Sequence, residues 1–123
     1  MTASLALLSD RLFMATVGVY VLALALHAAA LARAVAPVPV PVGAGPDEPA
    51  RPLRGPAERL GRMGVALVVL GALLHAGSLA ARGFAAARWP LGNMYEFTSA
   101  ICLAAVVGWL VMLRRSPVAR ACR

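Results

Sequence analysis

The chain has 123 residues, of which 61% are hydrophobic and only 14% are charged. A soluble domain carries about 25% charged residues, so this composition argues against a water-soluble globular fold. The net charge is +7, but the arginines flank the apolar segments, where membrane topology requires them. We therefore predict membrane lipid as a partner and no nucleic acid.

Three long apolar segments cover residues 12–32, 63–81 and 94–113. Each is close to the roughly 20 residues that a helix needs to cross the hydrocarbon of a bilayer. Backbone groups in lipid must form their hydrogen bonds within their own segment, so each segment is predicted to be a helix. The expected fold is an all-α membrane protein, a bundle of three transmembrane helices in one region, residues 1–123.

The first segment could alternatively be a cleaved signal peptide, since small residues follow it at positions 34–36. Its apolar stretch is longer than the roughly 7–15 residues of a signal peptide core. Asp10 also weakens the positive charge expected before such a core. We predict a retained helix.

The predicted connections are a linker at residues 33–62, a loop at residues 82–93 and a basic tail at residues 114–123. The linker contains seven prolines and should be extended and irregular. It is interpreted as a tether, with a docking segment for a partner as the alternative. The antiparallel bundle should place the second helix in contact with both others.

The distribution of arginines predicts the orientation of the chain. Nine of the 12 arginines lie in the linker and tail, and three lie in the amino-terminal segment and the loop. By the positive-inside rule, the linker and tail are expected in the cytoplasm of a cell with a multi-pass protein in its plasma membrane. The amino terminus and the loop at residues 82–93 would then lie outside.

The two histidines, His27 and His75, both lie within predicted spans, where an ionisable side chain is a functional candidate. Both also belong to stripes of small and polar residues that let helices approach closely and form hydrogen bonds across their interface. The first stripe contains Thr16, Tyr20 and His27; the second contains Gly64, Gly71, His75, Ser78 and Arg82. Helix packing is the preferred interpretation.

The alternative interpretation is that a histidine ligates haem iron through neutral imidazole. The two histidines differ in depth by ~13 Å at 1.5 Å per residue, so they should not ligate one iron together. His75 is nearer the predicted outer surface and is the candidate for cofactor binding.

The loop and the start of the third span form the most informative stretch. Pro90 and the residues after it predict a turn, and Asn93 can cap the helix that begins near Met94. Glu96 lies in the first helical turn, where the helix dipole favours an acid. Trp89 and Tyr95 suit a membrane interface. These roles leave unexplained an acid at the edge of the hydrocarbon beside two arginines.

Residues 88–97 read Arg-Trp-Pro-Leu-Gly-Asn-Met-Tyr-Glu-Phe and resemble the CcsA/CcsB/ResC family of cytochrome c assembly proteins, known as System II. Members carry a similar Pro-x-x-Asn-x-Tyr-Glu stretch on the outer side, between early transmembrane helices. The matching positions are Pro90, Asn93, Tyr95 and Glu96. The resemblance implies a membrane complex that exports haem and attaches it to apocytochrome c, with a second System II subunit as partner.

This sequence departs from the family because it has no tryptophan-rich loop and no counterpart of the family's haem-ligating histidines. The resemblance therefore implies the amino-terminal portion of such a protein, without catalytic residues and not an enzyme on its own. Candidate contacts with haem are His75, Trp89, Tyr95 and Glu96. The alternative function is that of a small three-span interaction or assembly subunit without a cofactor.

Overall fold

The computed structural model describes residues 2–36, 54–89 and 91–116. They form three α-helices: α1 (Thr2–Val35), α2 (Arg54–Ala86) and α3 (Met94–Arg115). All three are long and apolar enough to span a membrane, and no strand occurs in the described segments. The prediction of an all-α bundle of three spanning helices is confirmed. Most of the predicted linker, most of the basic tail and Pro90 lie outside the described residues.

The helices are longer than the apolar segments at residues 12–32, 63–81 and 94–113. α1 starts ten residues earlier, and the last nine residues of the predicted linker belong to α2. Arginine is a good helix former and Pro56 lies in the first turn of α2, where a missing backbone N–H costs little. Counting apolar residues locates the span, whereas the helix continues through charged residues beyond it.

Large apolar side chains of the bundle face outward, while polar and small side chains are buried. Apolar residues buried among the described positions are Ala23, Ala72 and Ala81, and buried polar residues are Ser9, Thr16, His75, Ser78, Glu96 and Ser99. Leucine, methionine, phenylalanine and tryptophan side chains are exposed along all three helices. Such a surface is unfavourable in water and suits contact with lipid tails. The chain is a membrane protein.

α1 packs antiparallel along α2, and α3 makes a smaller contact with α2. The predicted stripes of small and polar residues form the first interface. Ser9 and Ser78 each donate a hydrogen bond to the other's carbonyl oxygen at 3.0 Å. Further along, Gly71 lies against the ring of Tyr20 and Gly64 against that of His27. As predicted, α2 contacts both other helices.

α2 ends in a Schellman motif before the predicted turn. The amide of Arg88 donates to the carbonyl of Gly83, and the amide of Ala87 donates to the carbonyl of Phe84. Ala87 has a φ of 50°, a left-handed conformation usually taken by glycine. The chain then turns into α3, and the end of the bundle near residues 87–93 is called the loop end. The opposite end, with Arg33, Arg62 and Arg114, is called the linker end.

Candidate functional site at the loop end of the bundle

A guanidinium connects all three helices at the loop end. Arg82 of α2 donates to Asp10 of α1 at 2.8 Å, and its guanidinium carbon lies 4.9 Å from the centre of the Tyr95 ring on α3. The Tyr95 ring also meets Phe13 of α1 edge-on, with ring centres 5.6 Å apart. Both the ion pair and the cation–π contact position Tyr95.

Glu96 is a buried acid beside a second arginine. It is only 4% exposed, and its Oε2 atom lies 3.5 Å from the guanidinium of Arg88, which is about half-exposed. That oxygen forms no hydrogen bond with a described residue, so the attraction is that of two charges without a short hydrogen bond. A Cβ atom at Gly92 would overlap this guanidinium, so glycine there lets Arg88 reach Glu96.

His75 lies at the centre of the bundle, one helical turn further into the span. Its Nε2 atom is 2.7 Å from the hydroxyl of Ser99 on α3. Phe13 and Tyr20 of α1 meet its ring edge-on, with centres 6.4 and 6.1 Å away. The side chain therefore contacts α1 and α3 simultaneously. Its Nδ1 atom and the hydroxyl of Tyr20 are buried without a hydrogen bond to the described residues.

The structure brings together three of the four residues predicted to contact haem. His75, Tyr95 and Glu96 lie at or below the loop end, together with Arg82 and Arg88. Trp89 is different. It is 84% exposed and, with Phe84 and Arg88, lines an open apolar groove of about 680 Å³ on the outside of α2.

Two details of the predicted motif are clarified by the structure. Asn93 occupies the residue before α3 in extended conformation, but its side chain makes no capping hydrogen bond, so its expected capping role is wrong. Its carbonyl instead accepts the amide of Phe97 at 2.9 Å. Pro90, the first residue of the motif, lies outside the described residues.

Sequence reasoning missed several members of this cluster. Asp10, Phe13 and Ser99 contribute an ion pair, two ring contacts and a hydrogen bond. Asp10 carried a signal that was interpreted otherwise, because an acid within a long apolar helix requires a cationic partner. Ser99 lies one turn after Glu96 on the same face of α3, so helical periodicity could have identified it.

His27 lies far from this cluster, near the linker end. Its Nδ1 atom is 2.8 Å from the carbonyl oxygen of Ala23, and its ring meets Trp109 of α3 edge-on with centres 6.0 Å apart. The separate surroundings of His27 and His75 agree with the expectation that they do not share one ligand. Among the described positions, no three histidine, cysteine or acidic side chains are grouped to hold a metal ion.

No protein-family model, curated protein or solved structure matches the chain.

Proposed function

We propose that the chain acts in cytochrome c biogenesis, as part of a plasma-membrane complex that exports haem and attaches it to apocytochrome c. The proposal is carried by residues 88–97, which resemble the CcsA/CcsB/ResC stretch at Pro90, Asn93, Tyr95 and Glu96. A second System II subunit and apocytochrome c are the partners that this function requires.

The surroundings of the motif support the proposal. A turn and a helix start alone would not need a buried acid, yet Glu96 is buried and lies beside Arg88. Tyr95, the neighbouring motif residue, lies under the guanidinium of Arg82. Burying a carboxylate costs several kcal/mol unless it is paired, so this arrangement is more than a surface turn requires.

In the proposed complex, the residues of this chain shape the protein surface on the outer side of the membrane. Arg82 and Arg88 hold Tyr95 and Glu96 in fixed positions at the start of α3. Trp89 is exposed next to them and presents an aromatic ring outside the bundle. These groups would contact haem or a partner subunit, while the bond-forming chemistry belongs to other parts of the complex.

The proposed orientation puts the loop end outside and the linker end in the cytoplasm, as the arginine distribution indicates. Leu91 is about half-exposed and suits a labelling test, whereas a side chain at Gly92 would displace Arg88. A Leu91→Cys variant lacking Cys102 and Cys122 should react with a membrane-impermeant maleimide added to intact cells. Labelling that requires cell lysis would contradict the orientation.

The function is tested by haem attachment in the native host. Deletion of the gene should abolish covalent haem in c-type cytochromes, seen as loss of haem-stained bands, and the unaltered gene should restore them. Glu96→Gln should restore little, since it removes the charge beside Arg88. Thr98→Ala is the matched control, because that exposed hydroxyl bonds only to the carbonyl of Met94 on its own helix.

Normal haem attachment in the deletion strain would refute the proposal. It would favour the second candidate, a three-span assembly subunit without a cofactor. One observation supports this candidate: Arg82, His75 and Ser78 use their polar groups to connect helices to one another. Copurification of a partner from the deletion-complemented strain, unaffected by haem depletion, would then be expected.

A further inference from the structure

The hydrogen bond of His27 fixes the state of its ring. A carbonyl oxygen can only accept, so the Nδ1 atom of His27 donates its proton to the carbonyl of Ala23, 2.8 Å away. In the neutral ring, Nε2 is then unprotonated and carries a lone pair. This nitrogen makes no hydrogen bond with any described residue, and the side chain is only partly buried.

The same comparison disfavours His75 as a ligand. Its Nε2 atom is occupied by the hydroxyl of Ser99 at 2.7 Å, and the residue is only 5% exposed. Aromatic rings of α1 lie on both sides of it. A metal could reach this ring only after the contact between α2 and α3 had opened.

The surroundings of His27 suit a flat ligand with an apolar body and negative charges. The Trp109 ring lies beside the imidazole, and Gly64 leaves room for it on α2. Among the described residues, α1 and α3 have no close backbone contact, so the two side chains meet across a gap. Arg33 and Arg114, both exposed, follow His27 and Trp109 by six and five residues, a rise of about 8–9 Å toward the linker end.

We propose that His27 is the axial ligand of haem in this chain, through Nε2, at a site between α1 and α3 near the linker end. The proposal rests on the proposed function, in which haem is the cargo. Trp109 would pack against the porphyrin, and Arg33 and Arg114 would attract its two carboxylates. A backbone carbonyl that orients a ligating imidazole through its other nitrogen is a common feature of metal sites.

The test uses the full chain in lipid nanodiscs, titrated with ferric haem and followed by the Soret band. His27→Asn removes the ligating nitrogen while its amide can still donate to the Ala23 carbonyl. His75→Gln is the matched control, because its amide can keep a hydrogen bond to Ser99. Iron-free protoporphyrin, added to the unaltered chain, measures partitioning without ligation.

The expected result is a shifted Soret band for the unaltered chain and for His75→Gln. His27→Asn should lose the shift and bind haem at least about tenfold more weakly, the lower limit for losing even a supporting group of a metal site. Free imidazole should restore a shifted band in His27→Asn. Circular dichroism would establish that both variants keep their helices.

Loss of the shift in His75→Gln, equal binding by both variants, or no binding by the unaltered chain would each overturn the assignment of His27. Each of these results is separate from the haem-attachment test. A deletion strain that lacks covalent haem would leave the proposed function standing while the ligand site fails. Equal affinity for iron-free protoporphyrin would also count against ligation.

Discussion

Gly71 provides the sharpest test of how α1 and α2 pack. A Cβ atom at this position would lie 2.5 Å from Cε1 and 2.8 Å from Cδ1 of the Tyr20 ring. Such distances are too short for carbon atoms, and the ring cannot move freely because it also packs against His75. Gly71→Ala should therefore force the two helices or the ring apart.

The magnitude follows from two opposing effects. Overpacking a close contact costs about 1–3 kcal/mol, whereas replacing glycine with alanine within a helix gains about 0.5–1 kcal/mol. Gly18 of α1 is the matched control, because a Cβ atom there would have no atom within 4 Å. Gly18→Ala should therefore show the gain alone, and Gly71→Ala should be less stable than Gly18→Ala by about 1–3 kcal/mol.

The assay is reversible unfolding in mixed micelles with increasing SDS, monitored by circular dichroism. A second measurement combines Gly71→Ala with Tyr20→Ala, which removes the ring that Cβ would strike. The cost of Gly71→Ala should largely disappear in that background, with a coupling energy within the usual ~0.5–3 kcal/mol for residues in contact. Equal stability of Gly71→Ala and Gly18→Ala would refute the packing described for α1 and α2.

Three further variants test the loop end by the same unfolding assay. Arg88→Ala should cost about 1–3 kcal/mol, less than a fully buried pair because the guanidinium is half-exposed, and Glu96→Gln should cost less because it leaves no buried charge; the reverse order would contradict this pairing. Ser99→Ala should cost about 1–3 kcal/mol by removing the hydroxyl bonded to His75, and a neutral effect would mean that the bond does not form. Ala87→Gly should stabilise the chain by about 1 kcal/mol through relief of the left-handed conformation, and a loss of stability would contradict the φ of 50°.

Much of the fold could be predicted from the sequence because the bilayer imposes a strict requirement. Every backbone group in lipid must be paired, so a long apolar segment has one solution, and helical periodicity then identifies the buried stripe. The faces with Thr16 and Tyr20 on α1 and with Gly71 and Ser78 on α2 were predicted in this way and are confirmed.

The helix ends and the partners across each interface could not be predicted as well. Helix ends depend on local bonds such as those of the Schellman motif at Ala87, which has alanine where glycine is usual. Partners depend on the relative sliding of two helices, which periodicity leaves open. Asp10 was interpreted only as weakening a signal peptide, and its pairing with Arg82 became evident only once α1 and α2 were aligned.

The two interfaces of α2 are built differently, and this difference bears on function. α1 is attached along most of its length, whereas α3 contributes only Glu96 and Ser99 to the buried residues described, both near the loop end. In lipid there is little hydrophobic force to hold α3, so its position depends on those two polar contacts and on small residues. The part of α3 beyond Ser99 is therefore the least constrained part of the bundle, and it includes Trp109. A ligand between α1 and α3 could bind there by moving the linker end of α3 while the motif at the loop end stays fixed.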